Sequence, residues 1–65
     1  MNGQELKAIR LNLNMTQEEF GKLLGYAPES ATVRVSELEN ERIRITATID
    51  RLARYIEKWG VLKQL

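Results

Sequence analysis

The chain has 65 residues, 43% of them hydrophobic, and a formal net charge of +1, which is the size of one small domain with a limited core. It contains no cysteine and no histidine, which excludes disulfides and thiolate metal sites and removes the usual general base at neutral pH. No apolar run approaches the length of a membrane span, and the first residues lack the apolar core of a signal peptide. We therefore expect a soluble, cytoplasmic protein that is not an enzyme and that uses no metal or cofactor.

The distribution of charge along the chain is only weakly biased. Residues 1–33 carry three basic and four acidic side chains, and residues 34–65 carry seven and five. A bias of this size does not identify a nucleic-acid partner, because basic clusters on protein surfaces are usually just solvated.

The first predicted helix begins near residue 2. Asn2 followed three residues later by Glu5 is the pattern of a capping box. Leu6, Ile9 and Leu13 then recur at i, i+3 and i+7, as on one buried helical face. The helix should fade at the asparagines that follow, because asparagine favours helix ends and turns.

The second predicted helix is short and has clear signals at both ends. Thr16 and Glu19 form another capping box. Gly25 ends the helix, since glycine takes the left-handed conformation without a Cβ penalty. The predicted apolar face has the spacing i, i+3, i+4 and consists of Phe20, Leu23 and Leu24.

The third predicted helix starts somewhere between Pro28 and Thr32 and ends near Asn40 or Arg42. Proline is acceptable at the first helical position, where its missing N–H costs nothing. The apolar stripe of this helix, at i, i+4 and i+7, is Ala31, Val35 and Leu38. The stripes of the second and third helices would cross and bury each other.

A fourth predicted helix is capped by Thr46 or Thr48 and ended or kinked by Gly60. Its apolar face is Ile49, Leu52, Ala53, Ile56 and Trp59, with Trp59 expected to close the core. A short apolar tail follows and forms either one more helical turn or a frayed end. No segment shows sustained strand alternation, so the prediction is an all-α fold of four to five short helices.

The second and third helices carry motifs that resemble a known family. MTQEEF at residues 15–20, LLGY at 23–26 and VSELEN at 35–40 are similar, in order and register, to the helix-turn-helix domain of phage repressors, Cro proteins and XRE-type bacterial regulators. The similarity covers residues 6–56. It implies a single lambda-repressor-like domain over residues 1–65, with the helix-turn-helix at about 16–40 and a C-terminal helix at about 46–59.

Two features depart from the family pattern. The turn between Gly25 and the VSELEN segment is about four residues longer than in the compact members of the family. The extra residues either lengthen the third helix at its N-terminus or form a larger loop, and the sequence leaves both open. Glu41 stands where many relatives have glycine.

The resemblance implies that the third helix reads double-stranded DNA in the major groove. A rotation of about 100° per residue from the buried stripe turns Glu29, Val33, Ser36, Glu37 and Asn40 outward. The family's base-reading positions fall on Thr32, Val33 and Glu37. The predicted base-reading set is Thr32, Val33, Ser36 and Glu37. The alternative is an ordinary amphipathic helix with a solvated face.

Other residues are expected to contact the DNA backbone. They are Gln17, Arg34, Asn40, Arg42 and Arg44. The planar fork of arginine suits phosphate, although each arginine has the alternative of a solvated surface charge. Relatives also pair an arginine of the first helix with the glutamate of the LEN segment, which implies a structural ion pair between Arg10 and Glu39.

The resemblance further implies a transcriptional repressor of phage or prophage type that binds its operator as a two-fold homodimer. The possible dimer contact consists of Tyr55, Trp59, Leu62 and Leu65. The competing hypothesis is a protein-interaction module, such as an antitoxin subunit that binds a partner protein. The weak net charge and the two acids on the outward face, Glu29 and Glu37, favour this alternative. No membrane and no small-molecule ligand is expected.

Overall fold

The computed structural model describes residues 1–59 of the chain. It contains four helices, α1 (Gly3–Asn12), α2 (Gln17–Leu23), α3 (Pro28–Glu39) and α4 (Ala47–Trp59). The predicted all-α fold is confirmed, and these residues contain no strand. The predicted extra turn after Gly60 lies outside the described residues. None of the four helices has the length and apolar character that crossing a membrane requires.

Both predicted capping boxes are present at the helix N-termini. At α1, the Glu5 N–H donates to Asn2 Oδ1 at 2.8 Å and the Asn2 N–H donates to Glu5 Oε1 at 2.9 Å. At α2, Thr16 and Glu19 exchange the same two bonds at 3.1 and 3.0 Å. These bonds satisfy backbone donors that the first helical turn leaves unpaired, so the sequence fixes where α1 and α2 begin.

Three of the helices end in the same way, on a residue with positive φ. The residues are Asn14 (φ 57°), Gly25 (φ 99°) and Glu41 (φ 59°). After α3, the Glu41 N–H donates to the Leu38 carbonyl at 3.2 Å and the Arg42 N–H donates to the Glu37 carbonyl at 2.8 Å. This left-handed ending satisfies carbonyls at the helix C-terminus. Glycine adopts it easily, whereas glutamate at position 41 adopts it at a steric cost.

The hydrophobic core lies where α2 and α3 cross, with α1 packed against α3 and α4 packed against α1. The predicted stripe of α3, Ala31, Val35 and Leu38, is fully buried. Further buried core residues are Leu6, Ile9, Met15, Phe20, Leu24, Ala53 and Ile56. α3 is therefore the central helix of the domain, and its opposite face is left free.

Two sequence-based expectations about the core are wrong. Leu23 is 40% exposed, because α2 turns Phe20, Gly21 and Leu24 inward instead. Trp59 is 66% exposed, because it lies one turn beyond Ile56, the last residue of α4 that reaches the core. In both cases the apolar spacing fitted a helical face, but the packing partner determined which part of that face is buried.

The crossing of α2 and α3 depends on the absence of a side chain at Gly21. A Cβ placed there would lie 2.7 Å from the Cβ of Ala31 and 2.8 Å from its backbone oxygen. Four residues, 24–27, connect the two helices, and α3 starts at Pro28. The additional residues noted in the sequence therefore lengthen α3 at its N-terminus and leave the turn short.

Candidate nucleic-acid interface

An open groove with a volume of about 400 Å³ follows the free face of α3. Its lining combines the first residue of α2, the outward side chains of α3 and the residues just after α3. The lining residues are Gln17, Thr32, Val33, Ser36, Glu37, Asn40 and Arg42. All four residues predicted to read bases lie in this groove, together with three of the five predicted to contact the DNA backbone.

The exposure of these side chains suits contact with a ligand. Val33 is 56% exposed, although it is apolar, and Thr32 beside it is exposed as well. Ser36 and Glu37 are half-buried. The groove therefore presents methyl groups from one part of α3 and hydrogen-bonding groups from the next turn.

Asn40, at the C-terminal end of α3, is fixed by its own helix. Its Nδ2 donates to the Ser36 carbonyl at 2.9 Å and lies 3.4 Å from Ser36 Oγ. Arg42 follows it on the chain and is exposed. This end of the groove thus carries an amide held in one orientation and a cation on a longer side chain.

A buried ion pair lies beneath the groove. Arg10 Nε donates to Glu39 Oε2 at 2.6 Å and Arg10 Nη2 donates to Glu39 Oε1 at 3.2 Å. The side chains are only 10% and 5% exposed. Arg10 Nη1 also donates to the Met15 carbonyl at 3.1 Å. The pair implied by the family resemblance is therefore present, and it ties α1 to the end of α3.

The same carboxylate holds Gln17, which sequence reasoning did not foresee. Gln17 Nε2 donates to Glu39 Oε1 at 3.1 Å. One buried glutamate therefore connects α1, α2 and α3 and fixes the orientation of an amide that lines the groove. The signal was not visible in the sequence, since the two residues are separated by 22 positions.

Arg34, predicted as a backbone contact, does not line the groove. Its Nη1 donates to Glu37 Oε1 at 2.8 Å, and the two side chains are 48% and 29% exposed. The sequence contained this signal, because opposite charges at i and i+3 on a helix are neighbours. Glu37 therefore faces the groove as one half of an ion pair.

Arg44 lies in a neighbouring concavity with a volume of about 450 Å³. Arg42 lines both this concavity and the groove. Met1, Asn2 and Gly3, at the N-terminus of α1, border the same space as Arg44. The two arginines after α3 thus extend positive charge from the groove toward the start of α1.

The structure describes two of the four residues that were predicted to form a dimer contact. Tyr55 and Trp59 of α4 are 62% and 66% exposed, and their ring centroids lie 6.2 Å apart. Lys58 Nζ lies 5.5 Å from the centre of the Trp59 ring, within the range of a cation–π contact. Leu62 and Leu65 lie outside the described residues, so this part of the prediction stays open.

Among residues 1–59, no group of three or more histidine, cysteine, aspartate or glutamate side chains is arranged to hold a metal ion. Every buried side-chain nitrogen or oxygen in that part of the chain has a hydrogen-bond partner. No family model matches the chain, and neither a curated protein nor a solved structure matches it.

Proposed function

We propose that this protein binds double-stranded DNA in a sequence-specific manner and represses transcription by occupying an operator in the cytoplasm. The observation that carries the proposal is the groove, which brings seven side chains of α2, α3 and the following turn onto one free surface. Support also comes from the resemblance of residues 6–56 to phage-type and prophage-type repressors. No reaction is involved, because occupancy of the promoter or operator is enough to block transcription.

In this proposal α3 enters the major groove, which is wide enough for a helix and displays a distinct pattern for each base pair. Val33 and the methyl group of Thr32 meet thymine methyl groups. Glu37 accepts a hydrogen bond from a cytosine amino group. Ser36 adds a hydroxyl that both donates and accepts. The exposure of Val33 supports this assignment, since an apolar side chain gains from contact with a methyl group.

Contacts to the sugar-phosphate backbone fix the position of α3 without reading sequence. Arg42 and Arg44 lie beyond the C-terminus of α3 and supply positive charge to phosphates. The amides of Gln17 and Asn40 are already oriented by Glu39 and Ser36. The second Nε2–H of Gln17 needs little further ordering when it binds, which lowers the cost of association.

The test is selection of duplexes from a random pool, followed by gel shifts at several salt concentrations. We expect an enriched motif and an affinity that falls steeply with salt, because phosphate contacts release counterions. Glu37→Ala should weaken binding by about 1–3 kcal/mol and relax preference at one base position, whereas Arg42→Ala should weaken all sequences alike. An unenriched pool, or identical effects of the two substitutions on base preference, would contradict the proposal.

We further propose that the protein binds as a homodimer through the exposed aromatic face of α4. Tyr55 and Trp59 expose apolar rings that a second copy would bury. A two-fold dimer would place two copies of α3 about one turn of DNA apart, which requires a palindromic motif. Sedimentation of the wild type and of Trp59→Ala, without DNA, distinguishes a dimer from a monomer, and a monomeric wild type at high concentration would exclude this contact.

The second candidate is a protein-interaction module, such as an antitoxin subunit. The aromatic face of α4 favours it, because the same rings could cover a different partner protein. The gel shift separates the two candidates, since a module of this kind would show no enriched motif at low salt. If the wild type binds DNA and the Trp59→Ala variant no longer dimerises, the result supports the repressor hypothesis.

A further inference from the structure

The ion pair between Arg34 and Glu37 on α3 holds a guanidinium and a carboxylate together, and each of them retains hydrogen-bonding groups that the pair does not use. Arg34 Nη1 donates to Glu37 Oε1 at 2.8 Å, and this is its one hydrogen bond among the residues that the structure describes. The N–H groups at Nη2 and Nε of Arg34 therefore remain able to donate to a ligand, and Oε2 of Glu37 remains able to accept. Glu37 lines the groove. Arg34 does not line it, but its ion pair with Glu37 attaches its guanidinium to a side chain that does.

The charges of the pair determine what it can contact. An unpaired carboxylate on this face would be repelled by DNA phosphates, whereas the paired carboxylate is locally neutralised by the guanidinium. Arginine is long and flexible, and ordering it on binding costs free energy. Glu37 reduces that cost by holding the guanidinium against a side chain of the groove before DNA arrives.

We propose that Arg34 and Glu37 act as one reading unit, in which Arg34 contacts a guanine and Glu37 positions the guanidinium for it. Guanine presents two acceptors, O6 and N7, which match the fork of arginine. The free oxygen of Glu37 stays available for a cytosine amino group, so the unit selects a guanine close to a cytosine. The inference rests on the proposed DNA binding, and it moves Arg34 from a backbone contact to a base contact.

The test compares base preferences of three variants with those of the wild type, using duplexes that differ at one position. Arg34→Lys keeps the charge but loses the fork, so we expect the preference for one guanine to fall about tenfold while other positions are unchanged. Glu37→Gln keeps the size of the side chain but frees Arg34, and should weaken the preference for the same guanine. In the double variant the loss should be no greater than in Arg34→Lys alone, because both changes disable one unit.

Glu29→Gln is the matched control. It removes one negative charge from the exposed first turn of the same helix, and no partner is recorded for Glu29 among residues 1–59. It should leave the guanine preference unchanged. Arg34 and Glu37 form a solvent-accessible ion pair, which contributes little to the free energy of unfolding. All variants should therefore fold, and thermal melting measures this.

Several results would overturn the inference. If Arg34→Lys weakens every sequence equally or has no effect, Arg34 contacts phosphate or nothing. If Glu37→Gln leaves the guanine preference intact, or acts no differently from Glu29→Gln, Glu37 does not position Arg34. If the wild type enriches no motif, DNA binding itself fails and the inference fails with it. If the wild type enriches a motif but shows no guanine preference that depends on Arg34, the inference about the ion pair is wrong and the proposed DNA binding stands.

Discussion

Gly21 sets how closely α2 and α3 approach. A Cβ there would lie 2.7 Å from the Cβ of Ala31 and 2.8 Å from its backbone oxygen, and neither atom can move without moving α3. Alanine has the higher helix propensity by about 1 kcal/mol, but the clash outweighs this gain. We expect Gly21→Ala to lower the free energy of unfolding by about 1–3 kcal/mol, measured by urea denaturation.

The matched control for this substitution is Lys22→Ala, on the next residue of the same helix. The Lys22 side chain is exposed, so its removal should change the free energy of unfolding by no more than about 0.5 kcal/mol. A Gly21→Ala variant as stable as the wild type would contradict the close approach of α2 and α3.

Arg10 is the other residue on which the fold depends, because its partner is buried. Arg10→Met leaves the Glu39 carboxylate buried without its cation, and we expect a loss of about 3–5 kcal/mol. The double variant Arg10→Met/Glu39→Met leaves no buried charge and should recover much of the loss. Urea denaturation of the three proteins measures both effects.

An exposed pair supplies the comparison for Arg10. Arg34→Met breaks the ion pair to Glu37, where the side chains are 48% and 29% exposed, and should cost only about 0–1 kcal/mol. Equal losses for Arg10→Met and Arg34→Met would show that burial does not distinguish the two pairs.

At the scale of helices, Glu41 joins the end of α3 to the start of α1. Its backbone has φ 59°, and its Oε2 accepts a hydrogen bond from the Gly3 N–H at 3.0 Å. Glu41→Ala keeps the strained backbone and loses the acceptor, whereas Glu41→Gly loses the acceptor but relieves the strain. We expect the glycine variant to be more stable than the alanine variant by about 1 kcal/mol in chemical denaturation.

The order of these two variants tests the helix ending. Equal stabilities would mean that residue 41 does not hold the left-handed conformation in solution. A glycine variant more stable than the wild type would mean that the backbone strain outweighs the bond to Gly3. This comparison also bears on Glu41 as a departure from the pattern of the family that the sequence resembles.

At the scale of the whole molecule, Asp50 joins residue 1 to α4. Its carboxylate accepts hydrogen bonds from the Met1 ammonium group at 2.9 Å and from Arg54 Nε at 2.5 Å. These bonds lower the pKa of Asp50 below its usual value. A lowered carboxyl pKa stabilises the fold above the pKa of the unfolded chain, and this contribution is lost as the pH falls through the folded value.

We therefore expect Asp50→Asn to melt at a lower temperature than the wild type at pH 7. The difference should shrink progressively as the pH is lowered from about 5, where the unfolded carboxyl begins to bind its proton. Glu57→Gln, an exposed acid on the same helix, is the control and should leave the pH dependence unchanged. A constant difference between Asp50→Asn and the wild type at all pH values would contradict this role.

Local sequence patterns were enough to predict the four helices and the buried stripe of α3, although not the first residue of α3. The capping residues Asn2 and Thr16, the turn at Gly25 and the stripe through Val35 act within a few positions along the chain. Hydrogen bonds at caps and the 3.6-residue period are local, so a pattern in the sequence is enough to predict them. Val33, Ser36 and Glu37 also followed from that stripe, because they lie on the face opposite to it, whereas Thr32 was added only by the family resemblance.

The contacts between helices, in contrast, depend on residues that are distant in the sequence, and only the folded chain shows them. It placed the start of α3 at Pro28, turned Leu23 and Trp59 outward, and brought Gln17 to Glu39 across 22 positions. The physical reason is that burial depends on the shape of the opposing surface. At Gly21, for example, the absence of a side chain lets this face of α2 lie directly against Ala31 of α3.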